Sequence, residues 1–359
     1  MSLSRPRRLF SSFALFSVLL FAFLGTQAAA QEDKAEKVVI SEEVQSLIDG
    51  GLEWLTLQQE RSGAWSTGAP GGTQYRGAMT GYVLLAFMGS GNLPGEGPYG
   101  ESLQRAVDYL VGIVLPDGTI QTDNRGHYMY SHGIVLLALT QVLGQTGDTD
   151  TRAAIERMVR LTLGAQDANG GWRYHPRPSG ADISATVVQC VALRAARNIG
   201  IPVSQDVLDR AADYVRSCNI EGTPTFAYMP QQDRPGYART AAAAFSLQIL
   251  GHYDDPLIAP AIEELLDSRI RNDQNTGRWT TYGDFYATPA LYMVGGEAWA
   301  EWYVGLSEKF VSEANRDGER VYWGNPGGSG NGDRSPIYKT AQHISMLSIP
   351  TRFLPIFQR

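Results

Sequence analysis

With 37 acidic against 30 basic residues among 359, the chain has a formal charge of −7, which gives nucleic acid and anionic membranes no electrostatic reason to bind. Cys190 and Cys218 are too few for a disulfide framework, and 43% hydrophobic residues suffice for one large core.

The first thirty residues read as a targeting segment. Arg5, Arg7 and Arg8 form a basic start, "LFSSFALFSVLLFAFLG" is an apolar run, and "TQAAAQ" offers a small-residue cleavage site after Ala30. The expectation is a signal peptide over 1–30 and one exported domain, periplasmic or extracellular, over 31–359. Membrane contact is expected only through an uncleaved segment. Loss of the three arginines takes the charge to −10 (−7 − 3).

From Ser41 onward, amphipathic and wholly apolar segments alternate. "SEEVQSLIDGGLEWLTLQQ" precedes "AMTGYVLLAFMG", "ESLQRAVDYLVGIVL" precedes "HGIVLLALTQVLG", and "TRAAIERMVRLTLGAQ" precedes "ISATVVQCVALRAA". "SQDVLDRAADYVRSC" then precedes "TAAAAFSLQILG", "PLIAPAIEELLDSRIRN" precedes "ATPALYMVGG", and "EAWAEWYVGLSEKFVSEA" precedes "TAQHISMLSIP". Val44, Leu47, Ile48, Leu52 and Leu55 fall at helical spacing on one face, and Ser41 and Ser204 stand where N-caps belong. A helix apolar all round is buried all round.

The loops repeat as well. Gln59, Gly63 and Trp65 match Gln166, Gly170 and Trp172 in the pattern Q-x-x-x-G-x-W, and Gly277 and Trp279 keep part of it. The three tryptophans are 107 residues apart, and weaker copies at Ile120, Phe226 and Trp323 give a repeat of about fifty residues. Six hairpins of one half-exposed and one enclosed helix predict an all-α (α/α)6 toroid, because neither end carries the polar capping unit of an open stack.

The pattern resembles the QW repeat of squalene–hopene and oxidosqualene cyclases, whose superfamily includes the protein prenyltransferase β-subunits. "GGEAWAEWYVGLSEKFV" and "IPTRFLPIFQR" also resemble secreted squalene-cyclase-like proteins without an assigned reaction. The resemblance implies a terpenoid-cyclase-like fold and puts Asp182, in "GADISATVV", at the position of the cyclases' protonating aspartate. Gly180 and Ile183 replace its flanking acids, so the support a strong acid needs is missing and cyclase catalysis is expected to be lost. The first reading of Asp182 is therefore an N-cap accepting the backbone N–H groups of the helix's first turn, and the next a polar group for a ligand.

Inner-helix starts are rich in aromatic and polar residues. His127, Tyr130, His132, Tyr237, Arg239, Asp284, Tyr286 and His343 are the candidate ligand-binding set, for a small molecule or a saccharide held in or at the mouth of the inner ring. The alternatives are a terpenoid cyclase or isomerase working through Asp182, or a carbohydrate-active toroid using Asp182 with Asp284 or Tyr130 with His132. No Cys/His spacing makes a metal-ligand set, no G-C-G-E-Q thioester run is present, and nothing calls for a cofactor.

Overall fold

The computed structural model describes residues 38–67, 75–121, 126–267, 279–325 and 335–354; the expected signal segment and Gly277 lie outside them. Within the described residues twelve helices follow one another: α1 (Glu42–Leu57), α2 (Arg76–Gly89), α3 (Gly100–Gly112), α4 (Tyr128–Thr146), α5 (Thr149–Gly164) and α6 (Ile183–Asn198). The second half comprises α7 (Gln205–Ser217), α8 (Tyr237–Ile249), α9 (Ile258–Leu266), α10 (Thr280–Val294), α11 (Gly296–Glu313) and α12 (Pro336–Leu347). None of them is long and apolar enough to cross a membrane.

The even helices form the inner ring. Each packs on the next from α2 to α12, and α12 returns to α2, so the ring is closed. Burial follows the hydropathy pattern: α2 is buried at every position from Gly77 to Gly89, whereas α1 buries mainly the face carrying Val44, Leu47, Ile48, Leu52 and Leu55. This is the expected (α/α)6 toroid. Ser41 caps α1 by accepting from the Val44 N–H, while Ser204 occupies the α7 cap position without a side-chain bond.

The Gln/Gly/Trp loops are the joints of the ring. The Gln59 amide donates to the Gly63 carbonyl at 2.9 Å and to the Ser102 carbonyl of α3 at 2.8 Å. Gln166 does the same with Gly170 at 2.8 Å and Val207 of α7 at 2.9 Å. Each glutamine therefore ties its own turn to the next unit's outer helix.

Gly63 and Gly170 need left-handed backbone, with φ of +87° and +95°, and a Cβ there would stand 2.3 and 2.1 Å from the Arg105 and Arg210 carbonyl oxygens. The Trp65 indole donates to the Leu55 carbonyl at 2.7 Å, and its backbone N–H donates to Thr80 Oγ1 at 3.0 Å. Trp172 repeats this with Thr162 and Thr186, and Trp323 with Phe310 and Thr340. All three indoles are fully buried.

Trp279 departs from the expected repeat: it is the N-cap of α10 and 56% exposed. Trp65 and Trp172 precede their inner helices, which begin at Arg76 and Ile183, by eleven residues, a loop long enough to turn the indole inward. Trp279 has no such loop, because α10 begins at the next residue, Thr280. The 107-residue spacing thus survives in the sequence without the packing it marks elsewhere.

A short antiparallel hairpin, β1 (Asn315–Asp317) and β2 (Arg320–Tyr322), follows α11 and packs on α1. Tyr322 stacks on Trp54 with ring centroids 5.1 Å apart, joining the sixth unit to the first.

Aromatic side chains fill the ring. Tyr82 of α2 meets Phe285 of α10 at 5.9 Å and Tyr338 of α12 at 5.3 Å, and Tyr286 meets Phe285 at 5.2 Å and Phe245 of α8 at 6.1 Å. A void of about 20 Å³ lies between Ile134, Val188, Phe245, Phe285 and Tyr286, room for roughly one water molecule.

Candidate functional site at the mouth of the inner ring

Because the inner helices run parallel, their first turns and the loops before them gather at one mouth, and Asp182 stands at the start of one of them, α6. Asp182 is fully buried at the N-cap of α6; Oδ1 accepts from the Ala185 N–H at 2.9 Å and from Ser184 Oγ at 2.7 Å. Oδ2 makes no hydrogen bond, although the Tyr228 hydroxyl is close enough to favour its charge. Burial pushes the carboxyl up from its ordinary value, against the pull of Ala185, Ser184, Tyr228 and Arg173. It is both a helix cap and a carboxylate with one lone oxygen.

Four units place groups around it. Tyr130 of α4 shares a 2.7 Å hydrogen bond with Ser184 Oγ, and the Tyr282 hydroxyl of α10 donates to the Ser184 carbonyl at 3.0 Å. The Tyr174 and Tyr228 hydroxyls are hydrogen-bonded to each other. His127 lies 4.6 Å from Tyr174 between ring centroids, and Tyr130 lies 5.9 Å from it. The Arg173 guanidinium sits 5.4 Å from the Tyr174 ring centre, and that of Arg239 sits 5.8 Å from the Tyr228 ring centre.

Burial and the Asp182 charge hold the Tyr130 and Tyr228 hydroxyls well above their ordinary range, so both remain donors. Burial, and after it the nearby Arg234 charge, lowers the Arg239 pKa, and the Arg239 guanidinium donates to the Arg234 carbonyl at 2.8 Å. The mouth thus presents phenol faces and guanidinium donors, suited to hydroxyl-bearing or anionic groups, with the Asp182 carboxylate buried beneath them.

The other expected ligand residues lie inside the packing. Tyr237 and Asp284 are buried; the Tyr237 hydroxyl donates to Asp284 Oδ1 at 2.5 Å, and Lys309 of α11 lies 3.3 Å from Oδ2. His132 is buried between α4 and α5, with Nε2 3.0 Å from Thr162 Oγ1, and burial takes its pKa down to about 4. His343 stacks on Phe310 at 3.7 Å and meets Trp323 at 5.2 Å; burial lowers its pKa well below the ordinary value. Tyr286 belongs to the aromatic filling of the ring. Of the expected set, His127, Tyr130, Asp182 and Arg239 come together, Tyr286 touches the cluster from within the ring through Tyr282 at 4.9 Å between ring centroids, and His132, Tyr237, Asp284 and His343 do not join them.

The structure adds Arg173, Tyr174, Ser184, Tyr228 and Tyr282. A signal for two of them is present in the sequence: aromatic-x-Tyr occurs at Trp172–Tyr174 and again 54 residues on at Phe226–Tyr228, and those two tyrosines form the hydroxyl pair. Cys190 and Cys218 are both buried free thiols, each pushed up to about 12 by burial.

No protein-family model matches the chain. Over 134 residues, 35% of its length, it is 33% identical to enfumafungin synthase efuA of Hormonema carpetanum, and it spans 9% of that protein. The type II terpene cyclase MstE from Scytonema superposes with a TM-score of 0.56 at 15% identity, covering 88% of this chain and 100% of that one. Cellobiose 2-epimerase from Spirochaeta thermophila gives 0.61 at 17% identity, covering 94% and 97%. These likenesses and the closed ring agree on one statement: the chain has the (α/α)6 toroid fold that these terpene-cyclase and sugar-epimerase structures share.

Proposed function

We propose that this is an exported toroid that binds a hydroxyl-rich or anionic small molecule at the mouth of its inner ring, and that it does not cyclise hydrocarbons. The observation that carries the reading is the lone Oδ2 of buried Asp182 beside Tyr130, the Tyr174–Tyr228 pair and the Arg173 and Arg239 guanidiniums. The 20 Å³ void among the inner helices argues against an isoprenoid ligand within the ring, since ligand pockets run to roughly 300–1,000 Å³. Asp284, neutralised by Tyr237 and Lys309 inside the packing, argues against a paired-carboxylate glycosidase.

Thermal stabilisation tests this directly. Neutral oligosaccharides, sugar acids and isoprenoids are added in turn to the intact chain and to Arg239→Ala. A polar ligand should raise Tm in the parent and not in the variant, with both melting alike when unliganded. Stabilisation by isoprenoids alone would overturn the reading. One observation favours a second reading: burial raises the Asp182 pKa, as a proton donor requires. Conversion of the bound ligand, lost in Asp182→Asn, would mark catalysis.

A further inference from the structure

The arginines of the mouth lack a partner that arginines elsewhere in the chain have. Arg76 faces Glu60 at 3.1 Å, Arg105 faces Glu101 at 3.2 Å, Arg210 faces Asp206 at 3.1 Å and Arg216 faces Asp255 at 2.7 Å. Among the described residues, Arg173, Arg234 and Arg239 make no ion pair. Asp233, next to Arg234 in sequence, is exposed and joins none of them. Asp182, buried beneath, attracts Arg173 without an ion pair forming. On a chain of net charge −7, three guanidiniums without a carboxylate between them mark a place for an anion from outside.

The three converge on one short segment. Arg173 reaches across from its own loop to donate to Met229 Sδ at 3.5 Å, and a thioether is a weak acceptor for a charged donor. Arg239, in the first turn of α8, lies over the ring of Tyr228, the residue before Met229, and commits one N–H to the Arg234 carbonyl. Arg234 stands near enough for its charge to lower the Arg239 pKa, after burial. A guanidinium carries five N–H donors in a planar fork, so most of those on Arg173 and Arg239 are open to a ligand. Between the two lies the Tyr174–Tyr228 hydroxyl pair, with Tyr130 and His127 beside Tyr174. An inorganic anion would use the guanidiniums alone. A ring bearing hydroxyls would also use the phenol faces and their O–H groups, and a planar carboxylate matches the guanidinium fork.

We propose, on the reading that the mouth is the binding site, that its ligand is a sugar acid: a polyhydroxylated ring seated on Tyr174 and Tyr228, with its carboxylate held by Arg239 and Arg234 on one side and Arg173 on the other. The ligand is thereby hydroxyl-rich and anionic at once. The chemistry is that of a free uronate and equally that of a uronate unit in a polysaccharide.

The test is calorimetric titration of the full chain with galacturonate and glucuronate, their neutral parents galactose and glucose, a galacturonate trimer, and inorganic phosphate. A uronate or the trimer should bind about tenfold more tightly than its neutral parent and than phosphate, because hydrogen bonds to a charged group outweigh neutral ones. Arg173→Gln and Arg234→Gln should each weaken uronate binding about tenfold and leave binding of the neutral sugar as it was. Arg234 is exposed, so its variant keeps the fold, which an unchanged Tm verifies. Monomer and trimer of equal affinity point to a free sugar acid, and a tighter trimer points to a polysaccharide; both support the proposal. Uronate and neutral sugar of equal affinity overturn it while leaving the mouth as a binding site. Phosphate as tight as uronate also overturns it, by removing the sugar ring from recognition. No binding by any of these probes overturns both readings.

Discussion

Asp182 and Asp284 both lie near the start of an inner helix, two units apart, and both are almost wholly buried. Their surroundings make them different objects. Asp284 has a hydroxyl on one oxygen and an ammonium by the other, so its charge is met from within the protein. Asp182 spends one oxygen on the backbone and Ser184 and has no donor in hydrogen-bonding geometry on the other, with only a looser interaction with the Tyr228 hydroxyl to favour its charge. A buried carboxylate fully matched by its neighbours acts as a strut; one left half-matched can answer to something outside the chain.

That contrast can be broken most severely through the frame that holds Asp182. The Asp182 N–H donates to the Trp172 carbonyl at 3.0 Å, and Trp172 is fully buried, so Trp172→Ala should lower unfolding free energy by about 4 kcal/mol in urea titration and abolish ligand response with it. Next, Asp284→Ala strands the Tyr237 hydroxyl and the Lys309 ammonium and should lower stability by about 3 kcal/mol. Asp182→Ala loses a cap and should lower it by only about 1 kcal/mol. Equal losses at the two aspartates would dissolve the distinction.

Titration sharpens it, because the buried groups pull in opposite directions. His132 has a folded pKa of about 4 against an ordinary 6.5, so its contribution is complete above pH 6.5 and is lost as pH falls toward 4, by at most about 3 kcal/mol. His132→Gln should flatten the melting curve in that window. Asp182 has a raised pKa, so its contribution is present at low pH and is lost as pH rises through the folded value. Asp182→Asn, which keeps the cap and removes the charge, should therefore leave Tm at pH 7 unchanged or higher. The smallest effect belongs to exposed Trp279: Trp279→Ala should shift stability by about 0.5 kcal/mol or less, against the large loss at Trp172.

The fold was legible because two periodicities agreed. Helical spacing marked one-sided and all-round apolar segments, and the loop repeat set their number. The joints were legible for the same reason: glutamine, glycine and tryptophan are needed together wherever that turn is built. The site was less so, since spacing locates a helix start without saying which way a side chain points. His132 and Tyr130 are two residues apart on α4, yet one is buried against α5 and the other reaches Ser184 at the mouth. Arg173 and Tyr228 come from loops, where no period reports direction. Trp279 shows the converse, a spacing that persists where the packing does not.

Closure of the ring also governs the order of events as the chain folds. Ser90 at the end of α2 meets Ser348 at the end of α12 across 258 residues, with Oγ atoms 2.8 Å apart. In an open stack each new unit can settle on the previous one, but here the first unit waits for the last. Until α12 has been synthesised and docked, the apolar flank of α2 has no cover. The nascent polypeptide must therefore be kept from aggregating through nearly its whole length, and a ribosome that stops early leaves an arc with two adhesive ends.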